Sequence, residues 1–173
     1  MNKLKLILGD ITQSATDVIV NAANGSLLGG GGVDGAIHRE SGPELLAYCK
    51  QLPCKHGVRC ATGEAVLTPG FKLNAKHIIH TVGPIYHQHS KADNRRLLAN
   101  CYHNSLALAE QINAKSIAFP AISTGVYGYP MAEAAEVAIQ TCRRFHYILD
   151  INFYLFDPAA LNTWQAQLET LTS

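Results

Sequence analysis

The sequence predicts an α/β fold with three α/β/α layers, in which helices cover both faces of a mixed, largely parallel sheet. Two observations support this prediction. Short β-branched or apolar runs alternate with longer segments of helical spacing along the chain, which is typical of βαβ units. Two later helical segments also follow a predicted strand almost directly, as expected for helices that pack back onto a sheet.

Length and composition fit one domain that covers residues 1–173. The chain is 47% hydrophobic and 16% charged, a balance typical of a globular domain with a sizeable core. Lys and Arg total 14 against 13 Asp and Glu, a net charge of +1, so we expect no strong nucleic-acid binding and no attraction to membranes. Five cysteines without a secretory signal favour reduced thiols and a cytoplasmic location.

Six short segments are predicted to be strands. Each is rich in β-branched or apolar residues and is short enough to cross a sheet once. They are residues 4–8, 17–20, 65–68, 77–82, 117–122 and 152–156.

The helices are predicted from apolar periodicity and from start signals. Residues 33–50 have apolar patches at helical spacing, and Ser41-Gly42-Pro43 should divide them into two helices. Residues 92–112 repeat apolar side chains near a period of 3.6, so that stripe should face the core. Pro130 heads a fourth helix, and Asp157-Pro158 gives the fifth an N-cap acceptor and a proline at its first position.

Two glycine-containing loops follow predicted strands. One is NAANGSLLGGGGVDGAIH, residues 21–38, and the other is STGVYGYP, residues 123–130. Ligands of such sheets bind outside the carboxyl ends of the strands, and backbone N–H groups in loops or at helix N-termini bind diphosphate without a cation. The sequence therefore predicts a phosphate-binding site at this edge, although neither loop matches a standard nucleotide motif.

Asp34 follows the four glycines at the start of a predicted helix and has two possible roles. As a first-turn carboxylate it would stabilise the helix dipole by about 0.3 to 1 kcal/mol. If it is kept ionised by the helix N-terminus and exposed beside the glycines, it could instead orient or deprotonate a water. The amide of Asn24 could hold a sugar hydroxyl, whereas Asn21 is nearer the strand and should fix loop backbone.

Six motifs together resemble those of the macrodomain family, and more narrowly the MacroD-type ADP-ribose hydrolases and O-acetyl-ADP-ribose deacetylases. The resemblance runs from about residue 4 to the last helix, in the family's order, and implies the macrodomain form of the α/β/α sandwich. The motifs are GDIT (9–12), VIVNAAN (18–24), GGGGVDGAIH (29–38), TGEAV (62–66), HTVGP (80–84) and FPAISTGVYGYP (119–130).

The resemblance also implies roles for single residues. Asp34 matches the catalytic aspartate and Asn24 the asparagine that positions the distal ribose. Asp10 matches the acceptor of the adenine amino group and Ile11 its neighbour in that pocket. Phe156 lies where the family often places an aromatic ring against adenine, although a core position at the end of a strand is nearly as well supported.

The remaining matched residues form the walls around the ribose and phosphates. Gly31, Gly32 and Val33 match the loop around the distal ribose and phosphates. Ser123, Thr124, Gly125, Val126 and Tyr127 match the second phosphate loop, with the Tyr127 ring near the distal ribose. His38 and His80 lie inside motifs, and we interpret both as structural.

The function implied is removal of acyl groups from O-acetyl-ADP-ribose, or of mono-ADP-ribose from acidic side chains of proteins, without a cofactor. The expected partners are ADP-ribose, O-acyl-ADP-ribose and mono-ADP-ribosylated proteins. Two alternatives stay open, a binding module without turnover and a hydrolase that removes ADP-ribose from nucleic acids. No metal is implied, since Cys54, His56 and Cys60 lack the spacing of a zinc site and are expected to lie in a loop with free thiols.

Overall fold

The computed structural model describes residues 1–172, which contain one six-stranded sheet and five α-helices. The strands are β1 (Leu4–Leu8), β2 (Val18–Ala22), β3 (Ala65–Pro69), β4 (His77–Thr81), β5 (Ser116–Pro120) and β6 (Asp150–Leu155). The helices are α1 (Gly32–Ser41), α2 (Pro43–Lys50), α3 (Lys91–Gln111), α4 (Met131–Arg144) and α5 (Pro158–Thr172). Two short 3₁₀ turns cover Ile11–Gln13 and Tyr86–Gln88.

The sheet is mixed and largely parallel, which confirms the predicted fold class. Its strand order is β1-β6-β5-β2-β4-β3. Every neighbouring pair is parallel except β3 with β4, which are antiparallel at one edge. Because parallel strands end at the same side of a sheet, the loops after β1, β2, β4, β5 and β6 meet along one edge.

Helices cover both faces of the sheet, as the three-layer prediction requires. On one face α3, α4 and α5 enclose a core that includes Tyr102, Phe119, Phe153 and Trp164, all fully buried. On the other face α1 and α2 pack over a smaller core. Phe119 and its neighbour Ala118 belong to different cores, because successive residues of a strand point to opposite faces.

Element boundaries lie within two residues of the predicted ones. Gly42 separates α1 from α2 with a φ of 89°, a left-handed value that favours glycine. The N-cap prediction for α5 is confirmed, since the Asp157 carboxylate accepts from the Ala160 N–H at 2.7 Å. β5 ends at Pro120 rather than at residue 122, because the chain turns there and the Ala121 carbonyl accepts from the Thr124 hydroxyl at 2.7 Å. None of the helices within residues 1–172 is long and apolar enough to cross a membrane.

Candidate active site

A groove runs along the edge where the parallel strands end. Its deeper part, about 440 Å³, is enclosed by the N-terminus of α1 and by the loops after β2, β5 and β6. A second part of about 470 Å³ adjoins it beside Gly9, Asp10 and Ile11. The two parts form one groove, since they share five lining residues, Gly32, Val33, Pro120, Tyr154 and Phe156.

Most of the predicted binding residues line this groove. The structure brings together Asp10, Ile11, Gly31, Gly32, Val33, Ser123, Thr124, Gly125, Val126, Tyr127 and Phe156. It adds residues that carried no sequence signal for binding, among them Ala36 and Tyr154, because only the packing of α1 and β6 brings them to the groove. Neither Asn24 nor Asp34 is among the residues that line either part of the groove.

Two sets of backbone N–H groups are available to an anion in this groove. At the N-terminus of α1, Gly32 and Val33 occupy the first two helical positions, whose N–H groups have no acceptor inside a helix. In the opposite loop, the N–H groups of Gly125, Val126 and Tyr127 have no acceptor within the described residues. In the described chain no Lys or Arg lines the groove, so backbone dipoles supply the positive potential.

The loop after β5 is held in shape by its own hydrogen bonds. Ser123 has a φ of 68° and is buried, and its hydroxyl donates to the Pro84 carbonyl at 2.9 Å. The Tyr127 carbonyl accepts from the Tyr86 N–H at 2.9 Å. The Ser123 side chain therefore shapes the loop, and the exposed Gly125 and Val126 form its tip.

At the other end of the groove Asp10 and Phe156 are both exposed. One Asp10 oxygen accepts from the N–H and the hydroxyl of Thr12, at 2.9 and 2.8 Å, and the other has no partner within residues 1–172. Phe156 lies one residue beyond β6 with 77% of its surface exposed. This exposure excludes the alternative that Phe156 is a core residue and leaves its ring free to cover a flat ligand.

Asp34 is buried, with 5% exposure, which corrects the expectation of an exposed carboxylate. It occupies the third position of α1, so its side chain points behind the glycine loop. Its Oδ1 accepts from Asn21 Nδ2 at 2.8 Å and lies 3.5 Å from Nε2 of His38. Burial raises the pKa of Asp34, and the Asn21 hydrogen bond and the His38 ring offset this only in part.

The two asparagines of the NAAN motif have different partners, and the ribose-positioning role of Asn24 stays a prediction. Asn24 fixes the loop, since its Nδ2 donates to the Gly29 carbonyl at 3.0 Å and its Oδ1 accepts from the Ser26 hydroxyl at 2.6 Å. Asn21 was expected to fix loop backbone, but it is buried and holds Asp34 instead. The reason is strand alternation, which turns the Asn21 side chain under α1.

Gly30 lies between the Asn24 amide and the Asp34 carboxylate. A Cβ at this position would lie 3.1 Å from Asp34 Oδ2 and 3.4 Å from Asn24 Nδ2. The free carboxylate oxygen and the amide thus face the same point of the glycine loop. The absence of a side chain at Gly30 keeps both groups close to the backbone that borders the groove.

A smaller cavity and the cysteine segment 54–60 lie near the groove. A cavity of about 350 Å³ adjoins the groove at Gly83 and Tyr127 and is also lined by Cys60 and His89. Cys54 is exposed and Cys60 buried, and both are free thiols. Within residues 1–172 no group of three or more His, Cys, Asp or Glu side chains could hold a metal ion.

Comparison with known proteins identifies the family. A family model described as "Macro domain" matches residues 20–138. The chain is 58% identical over 146 residues to the O-acetyl-ADP-ribose deacetylase of Salmonella typhimurium, covering 83% of this chain and 79% of the relative. It is 49% identical to a macro domain-containing protein of Lactiplantibacillus plantarum over 100% of both chains.

Solved structures agree with this assignment. The Oceanobacillus iheyensis macrodomain with ADP superimposes with a TM-score of 0.93 at 48% identity, covering 99% of this chain and 92% of that one. The Trypanosoma brucei macrodomain in complex with ADP-ribose has a TM-score of 0.85 at 38% identity, covering 95% of this chain and 68% of that one. The sequence, the fold and the position of the groove together show that this chain belongs to the macro domain family.

Proposed function

We propose that this macrodomain binds ADP-ribose and hydrolyses an ester on its distal ribose. The substrate is O-acetyl-ADP-ribose or an ADP-ribosylated Asp or Glu side chain of a protein. One observation carries the proposal: the Asp34 carboxylate lies directly behind the glycine loop, oriented by Asn21, with a raised pKa. The names of the relatives support it, since one is an O-acetyl-ADP-ribose deacetylase and solved neighbours contain ADP or ADP-ribose.

The groove suits the parts of ADP-ribose in order. Phe156 covers adenine and the free oxygen of Asp10 accepts from its amino group. The diphosphate lies between the free N–H groups of α1 and those of Gly125, Val126 and Tyr127. The distal ribose then lies beside the glycine loop, against Tyr127 and near Asn24 and Asp34.

In the proposed reaction Asp34 acts as general base. A carboxylate with a raised pKa accepts a proton more readily than an ordinary Asp, and Oδ2 is free because Asn21 occupies Oδ1. For O-acetyl-ADP-ribose, Asp34 takes a proton from the water, which attacks the acyl carbon. The bond between that carbon and the ribose oxygen breaks, and the ribose oxygen receives the proton from Asp34. Acetate and ADP-ribose then leave. For a protein ester, attack at the acyl carbon or at the anomeric carbon gives the same two products, ADP-ribose and the free Asp or Glu side chain.

The decisive experiment compares wild type with Asp34→Asn on O-acetyl-ADP-ribose and on a glutamate-ADP-ribosylated protein. We expect the variant to bind ADP-ribose and to lose at least about 100-fold in kcat, a typical contribution of general acid–base catalysis. Asp150→Asn serves as the matched control. Asp150 is exposed and begins β6, at the end of that strand away from the groove. Equal turnover by wild type and Asp34→Asn would remove Asp34 from this role.

A binding module without turnover is the second candidate, and one observation favours it. Asn24 and Asp34 do not line the groove, and the Asn24 amide is engaged with the loop. Under this alternative wild type binds ADP-ribose in calorimetry and releases nothing from either substrate. Any turnover that depends on Asp34 excludes it.

A further inference from the structure

We propose that a buried hydrogen-bond chain, Thr68–His80–Asn21, positions the Asp34 carboxylate by fixing which atoms of the Asn21 amide face it. Asn21, His80 and Thr68 are then positioning residues that act through Asp34. The inference rests on the proposed role of Asp34 as the base, but the chain itself is a property of the sheet and is testable without turnover.

The chain crosses three neighbouring strands beneath α1. Asn21 of β2 is paired directly with His80 of β4, and their side chains approach with Asn21 Nδ2 3.1 Å from His80 Nδ1. Thr68 of β3 lies diagonally across from His80, with its hydroxyl 2.9 Å from His80 Nε2. All three residues are buried, so no solvent competes for these bonds.

The direction of each bond follows from the available hydrogens. Asn21 Nδ2 has two hydrogens, and it donates one to Asp34 Oδ1 at 2.8 Å and faces His80 Nδ1 with the other. The opposite amide atom, Asn21 Oδ1, has no hydrogen-bond partner within residues 1–172. The amide thus leaves a buried acceptor unsatisfied while both of its N–H hydrogens face Asp34 and His80. Because an unsatisfied buried acceptor costs free energy, these two contacts must hold the amide in this orientation.

His80 must accept at Nδ1, so its proton lies on Nε2. Burial lowers the pKa of His80 to about 3, which keeps the ring neutral with one proton. The Nε2 proton is donated to the Thr68 hydroxyl, which in turn donates to the Pro69 carbonyl at 3.2 Å. Thr68 therefore selects the histidine tautomer, and the tautomer selects the amide orientation.

The alternative arrangement would disfavour an ionised Asp34. If the Nδ1 of His80 carried the proton, the Asn21 amide would turn its oxygen toward His80 and Asp34, and two oxygens would then face each other unless Asp34 were protonated. The chain in its observed direction thus stabilises the carboxylate that burial disfavours.

Other titratable groups also face Asp34. His38 lies on the same helix at 3.5 Å, and the buried thiol of Cys49 on α2 is coupled electrostatically to Asp34. Burial raises the pKa of that thiol, so it stays neutral, and the Arg59 guanidinium beside it donates to the Ser26 carbonyl. Within the described residues, no hydrogen bond joins any of these groups to Thr68. A change at Thr68 therefore reaches Asp34 through His80, which faces Asn21 and also interacts electrostatically with His38.

The test compares Thr68→Val, which removes the hydroxyl at nearly constant shape, with Thr68→Ser, which keeps it. Thr81→Val is the matched control, because Thr81 is also buried in this sheet and donates to the Glu64 carbonyl outside the chain. Two measurements are made: ¹⁵N spectra of the His80 ring, which report its tautomer, and ¹³C titration of the Asp34 carboxyl group. The kcat–pH profile with O-acetyl-ADP-ribose is recorded on the same proteins.

For Thr68→Val we expect His80 to move its proton to Nδ1 and the acid limb of the kcat profile to move to higher pH. At the acid end kcat should fall about fivefold, the equivalent of one hydrogen bond, with KM within about twofold of wild type. Thr68→Ser should behave as wild type, and Thr81→Val should lose stability without either change.

The proposal is overturned if Thr68→Val keeps either the wild-type His80 tautomer or the wild-type pKa of Asp34, or if Thr81→Val changes both equally. A wild type that shows no turnover would defeat the proposed function alone. The two spectroscopic measurements would still decide whether the chain controls Asp34.

Discussion

At the scale of single residues, Asp34 combines burial with a charge. Among residues 1–172 its carboxylate has one donor at hydrogen-bond distance, and burial raises its pKa above the ordinary value. A group whose pKa is raised in the folded state stabilises that state most at pH values below its unfolded pKa, and the contribution is lost as pH rises through the folded pKa. At neutral pH the ionised Asp34 therefore opposes folding, as expected for a group kept for function.

We predict that Asp34→Asn raises the free energy of unfolding at neutral pH. The asparagine has the same shape, can still accept from Asn21 and carries no charge to bury. The gain should shrink toward acidic pH, where the wild-type carboxyl group is protonated. Urea unfolding at neutral and acidic pH measures both effects, and a variant less stable than wild type at neutral pH would contradict the prediction.

Phe156, unlike Asp34, is expected to affect ligand binding alone. Phe156→Ala should weaken ADP-ribose binding by about 1 to 3 kcal/mol, the usual contribution of an aromatic ring stacked on a base. Stability should change by less than about 0.5 kcal/mol, because 77% of the side chain is exposed. Calorimetry and thermal melts measure the two effects, with the exposed Ile148→Ala as control. Unchanged affinity would count against the adenine assignment.

At the scale of elements, the groove depends on the close approach of the loops after β4 and β5. A Cβ on Gly83 would collide with the Ser123 hydroxyl and would come within 2.7 Å of Ile122 Cγ2. Ser123 is anchored to Pro84 and begins the loop that carries the free N–H groups. The position of the proposed anion site is therefore set by two loops that the sheet brings together.

We predict that Gly83→Ala destabilises the protein by about 1 to 3 kcal/mol, as overpacking of a well-packed site does, and weakens ADP-ribose binding. The added methyl group must displace the Ser123 loop. Gly125→Ala is the control for stability, since its Cβ would meet nothing within 4 Å. Equal stability of the two variants, measured by urea unfolding, would show that the loops have room to move apart.

At the scale of the whole molecule, the chain offers little positive side-chain charge to an anion. Its net charge is +1, and within residues 1–172 no Lys or Arg lines the groove. In the proposed function, an anion is therefore bound by fixed backbone dipoles at close range. Long-range attraction, which salt screens over a Debye length of about 8 to 10 Å, contributes little.

We therefore predict that ADP-ribose affinity depends weakly on ionic strength. Raising NaCl from low to several times physiological concentration should change Kd by less than about threefold, because short-range bonds to N–H groups are screened little. Calorimetry across a salt series measures this dependence. A steep loss of affinity would indicate a cationic side chain that approaches the ligand.

The sequence by itself determined the fold class, the element order and the edge of the sheet that holds the candidate site. These follow from local periodicity, from caps such as Asp157-Pro158 and from glycine loops after strands, and each is a property of a short segment. The groove-lining residues of those loops were predictable for the same reason, including Gly31 to Val33 and Ser123 to Tyr127.

Only the tertiary structure decided the burial and the hydrogen-bond partners of Asn21, Asn24 and Asp34. Their order along the chain suggested an exposed carboxylate and an Asn21 that fixes loop backbone, but α1 packs over β2 and buries Asp34 against Asn21. His80 and Thr68 join them from strands more than 30 residues away. Burial and hydrogen-bond partners depend on which strands lie side by side, and no local pattern in the NAAN and GGGGVDG segments specifies that.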